Sequence, residues 1–250
     1  MRLGRFPLDG VQRTAIAQAG LQQALRIVAH DTAETPQIDT LQEPWATGRV
    51  DAQTTVFEDM PLGDGMFSVG RIEQETFVPG LIDEERKLPL NVAAPEHLRR
   101  LFELIQPEGV DPQALAEAIV DWRDEPSGAV CAAADPPCHN GPFESVQELR
   151  LVPGMTAAAF EAIAPYVTVY GSGAVNVNTA SAMVLNAMGY PGDELVEQRK
   201  TQPFTAYPGL AVTSSAFTVP VQATLANRSI RLQLVAIVDR TGTILSWSTR

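Results

Sequence analysis

The hydrophobic period of this chain changes twice, and that change restricts the fold more than any single motif does. FSVGRIEQETFV in residues 57–92 and SAFTVPVQATL, IRLQLVAIVDR and TILSWSTR in residues 212–250 alternate apolar and polar positions, the spacing of a strand with one buried face. Between them, residues 95–205 show apolar spacings of three and four, the repeat of a helix. A further helix is predicted over residues 11–30, where Val11 and Ala15 stack and Leu21, Leu25 and Val28 continue a stripe. The fold class expected is therefore α+β: an N-terminal helix on one antiparallel sheet, with a helical block inserted between strands. The boundaries predicted are 1–92 for the helix and first strands, 93–205 for the insertion, and 206–250 for the closing strands.

Helix-start signals punctuate the central block. Asp9 is placed to cap the first helix, at whose centre Gly20 is an unfavourable residue. Pro95 opens APEHLRRLFELI, and Asp111 with Pro112 opens GVDPQALAEAIVDWRD. Ser145 and Glu148 have capping-box spacing, and Thr156 starts MTAAAFEAIAPYV. In NVNTASAMVLNAM the expected cap is Asn178 or Thr179, after an extended piece anchored by Val175 and Val177, with Asn176 and Asn178 on the other side. DELVEQRK supplies a partner helix. Pro79-Gly80 marks a turn, and Glu84, Glu85, Arg86 and Lys87 read as a solvated turn between two short strands.

Charge narrows the functional classes. Thirty acids against eighteen bases give a net charge of -12, the wrong sign for a protein that lives on phosphates. The excess is concentrated in residues 31–150, with 24 acids and eight bases. No HExxH, GxSxG, GxGxxG or P-loop occurs, and His30, His97 and His139 stand in unrelated contexts. No enzymatic activity is expected. The uncharged stretches Gly171–Gly192 and Ala206–Asn227 contain proline and many polar residues, so neither has the apolar length of a membrane span. No export signal is visible at the start, and these features alone point to the cytoplasm.

One stretch holds candidate ligands. Asp121 and Asp124 lie three apart at a helix end, Glu125 follows, and Asp135 arrives after a turn-rich loop. Oxygen ligands around an irregular loop suit Ca²⁺, and a solvated acidic face with Trp122 in the core is the plainer account. Within that loop, Cys131 and Cys138 are compatible with a local disulfide or with two free thiols.

FESVQELRLVPGM and NVNTASAMVLNAM both look like helix-hairpin-helix halves. Their turns, Val152-Pro-Gly-Met155 and Met188-Gly-Tyr-Pro-Gly192, lack the full Gly-hydrophobic-Gly hairpin and any basic residue, which argues against DNA binding. Taken in order, LIDEERKLPLN (Leu81–Asn91), AIVDWRDE (Ala118–Glu125), FESVQELRLVPGM (Phe143–Met155) and VNVNTASAMVLNAM (Val175–Met188) resemble the minor pseudopilin K family of type II secretion. The Ala- and Gln-rich first helix, followed by EPWA at Glu43–Ala46, fits the same resemblance.

The resemblance implies a pilin-like core with a large inserted helical domain. It implies a non-enzymatic subunit at the tip of the pseudopilus, held in the inner membrane, facing the periplasm, and partnered by minor pseudopilins I and J. It also implies a disulfide, Cys131–Cys138, and calcium at Asp121, Asp124, Glu125 and Asp135. Val130 stands where relatives carry a glutamate, so the favoured expectation is that the disulfide replaces the metal. The leader and the apolar half-helix of the family do not precede residue 11, and about twenty mostly apolar residues are expected to be encoded upstream of Met1. The competing functions are a helix-hairpin-helix nucleic-acid-binding protein and an unrelated periplasmic calcium-binding interaction domain.

Overall fold

The computed structural model describes residues 5–124, 140–225 and 231–250, with side chains from residue 9 onward. The chain begins with helices α1 (Arg5–Glu34) and α2 (Pro44–Thr47). Strands β1 (Met60–Leu62), β2 (Gly65–Glu73), β3 (Thr76–Pro79), β4 (Ile82–Asp83) and β5 (Leu88–Pro89) follow. Then come α3 (Pro95–Ile105), α4 (Pro112–Arg123), a 3₁₀ segment at Val146–Leu151, α5 (Ala157–Ile163), β6 (Val167–Thr168), α6 (Ala182–Ala187) and α7 (Gly192–Thr201). Strands β7 (Ala216–Leu225), β8 (Arg231–Asp239) and β9 (Ile244–Thr249) close the chain. Two compact units result: residues 1–84 with 213–250, and residues 85–212.

The first unit is the expected helix on an antiparallel sheet. Its order is β1-β2-β7-β8-β9, with β3 hydrogen-bonded to β2 and β4 to β7. β2 pairs directly with β7, from Gly65 opposite Leu225 to Val69 opposite Val221, so residues separated by the whole insertion share one sheet. Alternate residues of β7 (Phe217, Val219, Val221, Ala223 and Leu225) are buried, as are Leu234, Ala236 and Val238 of β8. That is the period-two pattern realised as one apolar face. Pro220 lies in a strand with neighbours on both sides, where proline is rare. It falls between Val221, the last residue paired to β2, and Thr218, the first paired to β4. The residue without an N–H thus sits where one edge of β7 changes partner.

α1 is longer than predicted, so Asp9 lies inside it rather than at its cap. Its buried stripe also differs: Ile16, Ala17, Leu21, Ala24 and Val28 are buried, whereas Val11 is 69% exposed. Gly20 accounts for the register. A Cβ there would lie 2.5 Å from Val221 Cγ1 and 3.0 Å from the Phe67 ring. The helix approaches the sheet closely through the residue that its own propensity disfavours.

The second unit is built from short helices around Leu98, Leu101, Phe102, Ile119, Trp122, Leu149 and Ile163. Local signals placed most starts correctly. Pro95 opens α3, and the Asp111 carboxylate accepts from Gln113 N and Ala114 N at the start of α4. The Ser145–Glu148 box forms, on a 3₁₀ segment, and Thr156 Oγ1 accepts from Ala159 N. α6 is the correction. Its cap is Ser181, which accepts from Val184 N, not Asn178 or Thr179. The unit is wider than 93–205 because β5 pairs in parallel with β6 inside it and Ala211 N donates to Val175 O.

Two motif asparagines act as backbone clamps here. Asn91 donates from Nδ2 to Phe143 O (3.0 Å) and accepts from Phe143 N at Oδ1 (2.7 Å). Asn178 does the same to Phe204, at 2.9 Å each way. Each amide supplies a donor and an acceptor to one distant residue, as a strand neighbour would. Asn176 is fully buried together with Val175 and Val177, so the extended piece has no solvated side.

The 84–87 segment overturns the expected solvated turn. It is a 3₁₀ turn, Glu84–Arg86, with Glu84 and Glu85 buried. Thr218 Oγ1 donates to Glu84 (2.6 Å) in the first unit, and Ser172 N donates to Glu85 (2.8 Å) in the second. Hydrogen bonds to residues far along the chain offset the cost of burying carboxylates.

Candidate functional site

Asp121 and Asp124 lie at the C-terminal end of α4; Asp124 is exposed and accepts from Arg123 Nε at 2.9 Å. Trp122 is buried in the core, and Arg123 Nη1 reaches back to Leu90 O (2.6 Å) and Ala93 O (2.9 Å). Part of the DWRDE motif is therefore a staple that ties α4 to the chain entering α3. Glu125, Cys131, Asp135 and Cys138 lie outside the described residues.

Another acidic cluster, not singled out by sequence, lies in the first unit. Asp31 is near the C-terminal end of α1, Asp39 follows in the connecting loop, and Glu43 precedes α2. One oxygen from each falls within 4.8 Å of the others. Such a group can hold a cation, and the cation against it is the guanidinium of Arg240. Arg240 Nη1 donates to Asp31 Oδ2 and to Thr32 Oγ1, both at 3.2 Å, Nη2 donates to Asp39 Oδ1, and Nε donates to Ser214 O at 2.8 Å. Asp39 also accepts from Ser214 N at 2.6 Å.

Glu43 is served differently. Its Oε2 accepts from Thr40 N (2.7 Å) and Trp45 Nε1 (2.8 Å). Trp45 is fully buried, with its ring 5.0 Å from that of Phe217. Gly80 belongs to the same corner. It has φ +111, and a Cβ would lie 2.1 Å from Ala46 O, so the Pro79-Gly80 turn packs backbone to backbone against α2.

Burial raises the Asp39 carboxyl to about 6, against the opposing pull of Arg240. Burial raises Glu43 to about 7, and its two donors and the neighbouring Asp31 and Asp39 are smaller influences. Glu43 and Asp31 also form part of the wall of an open hollow of about 570 Å³ that runs along Gln23, Ile27 and His30 of α1. The chemistry of this cluster is ion pairing and main-chain recognition. Its carboxylates are engaged in joining three parts of the fold. No sequence pattern flagged it, because 31, 39, 43 and 240 come together only in the folded unit.

Residues 78–172 match the family model for type II secretion system (T2SS), protein K. No curated protein matches the chain. Among solved structures, a chain of the GspK–GspI–GspJ complex from the type 2 secretion system of enterotoxigenic Escherichia coli is similar in fold. The TM-score is 0.74 at 20% sequence identity, covering 98% of this chain and 98% of that one. The resemblance to protein K read from the four ordered motifs is thus borne out, as is the pilin-like core with its helical insertion.

Proposed function

We propose that this chain, matching the protein K family across residues 78–172, is a non-enzymatic minor pseudopilin of type II secretion. Its work is structural: it sits at the tip of the pseudopilus, helps start assembly, and associates with minor pseudopilins I and J. The single observation that carries this reading is the joint occurrence of the family match over residues 78–172 and a fold similar, along nearly the whole chain, to a chain of the GspK–GspI–GspJ complex. An inserted helical unit supports a capping role, because a bulky unmatched face ends head-to-tail growth.

Among the described residues no helix is long and apolar enough to cross a membrane. The placement proposed is at the inner membrane with both units facing the periplasm. The test is affinity between this protein and its own pseudopilins I and J. Submicromolar assembly of the three is expected, by analogy with stable complexes that bury a standard interface. No association by a folded protein would overturn the assignment, and a salt-dependent shift of duplex DNA would favour the nucleic-acid alternative.

Within this reading, Cys131–Cys138 is a disulfide and the loop at 121–139 needs no ion. Asp121, Asp124, Glu125 and Asp135 are the calcium ligands of the competing version. The periplasm is oxidising, which favours the disulfide. Intact mass should rise by about 2 Da on reduction. Calorimetry of chelator-treated protein should show no Ca²⁺ binding tighter than about 1 mM; tighter binding would restore the calcium version.

A further inference from the structure

Three carboxylates and one guanidinium do not balance. Arg240 commits its nitrogens to Asp31, Asp39, Thr32 and Ser214. Glu43 lies within 4.8 Å of both aspartates, yet among the described residues its donors are the neutral Thr40 and Trp45. Packed carboxylates of this kind avoid carrying full charge together, and the member without a cation is the one that takes up a proton.

We propose that Asp31, Asp39, Glu43 and Arg240 form a proton-operated latch, in which a proton held at Glu43 lets the 39–47 segment close on the end of α1 and on the β8–β9 turn. The charged and titratable groups facing Glu43 are Asp31 from α1, Asp39 from the connecting loop and Arg240 from the β8–β9 turn; Arg26, His30 and Glu34 of α1 line the hollow beside it. With the proton in place, Arg240 balances one of the two remaining negative charges and Trp45 stays anchored. Without it, two uncompensated negative charges share a largely buried corner.

The direction of the pH effect follows. A carboxyl raised on folding contributes stability that is complete below its unfolded value and is lost as pH rises through its folded value. For Glu43 that interval runs from 4.5 to about 7, and for Asp39 from 3.8 to about 6. The latch is therefore tight in mild acid and loosens toward neutral and alkaline pH.

The test uses the full chain and Glu43→Gln, which is neutral at every pH. In the wild type, the unfolding constant should rise by up to about tenfold per pH unit between pH 6 and 7 through Glu43, the limit for one proton released on unfolding, and more steeply between pH 5 and 6, where Asp39 adds its own. Glu43→Gln should lose most of that slope, and the comparison cancels the contributions of the histidines. Independently of how the variant folds, the Glu43 carboxyl carbon and the Trp45 indole N–H of the wild type should titrate together in NMR spectra, with a midpoint near 7. A wild type equally stable from pH 5 to 8, an unchanged slope in a folded Glu43→Gln, or titration of Glu43 near 4.5 would overturn the latch.

Discussion

The two units solve the same problem, burying a core without stranding polar groups, by opposite means. In the sheet-bearing unit the backbone satisfies itself: long strands pair along β2, β7 and β8, and every second side chain of β7 is apolar and buried. In the helical unit the elements are short, with helices α5 and α6 of seven and six residues. Much of its connecting chain is also buried, including the whole run Val175–Ala180. There the backbone relies on side chains, through the Asn91 and Asn178 clamps, the Arg123 staple and Arg199, whose Nη1 donates to Val177 O and Ala180 O. Long periodic elements leave few orphan groups, whereas short ones leave many ends, and each end needs a partner.

Substitutions can break this contrast in order of size. Phe217→Ala removes a fully buried ring from the sheet unit and strips Trp45 of its aromatic neighbour. It should cost about 3–5 kcal/mol, read from denaturant unfolding. Asn178→Ala removes few apolar atoms but leaves Phe204 N and Phe204 O without their clamp. A loss of about 2–3 kcal/mol is expected, with peptide-resolved hydrogen exchange rising first in residues 85–212. If that variant costs less than 0.5 kcal/mol, roughly the level of a neutral surface change, the helical unit does not depend on side-chain clamps. Gly20→Ala should be destabilising by about 1–2 kcal/mol, because the added methyl overpacks against Val221. On an open helix the same change would stabilise by about 1 kcal/mol, so its sign in thermal unfolding tests how tightly α1 is seated.

Much of the fold was legible, and for a definite reason. Asp111, Ser145 with Glu148, and Thr156 were readable as helix starts because a cap bonds to amides two or three residues away. The α6 cap was misplaced because Asn178, Thr179 and Ser181 all have capping side chains. Asn178 was already engaged with Phe204, and the choice fell to Ser181. The resemblance to protein K was legible from four ordered motifs, and two of them contain the clamping asparagines.

By itself, the sequence determined the two periods, most helix starts and the resemblance to protein K, since these depend on neighbours a few residues apart. Only the tertiary structure decided which polar residues are buried. Glu84 finds Thr218, 134 residues away, and Glu85 finds Ser172, 87 away. Asp39 finds Arg240, 201 residues away. Whether a carboxylate lies in water or in a core depends on who stands opposite it, because the cost of desolvation is offset only by a partner that folding brings near.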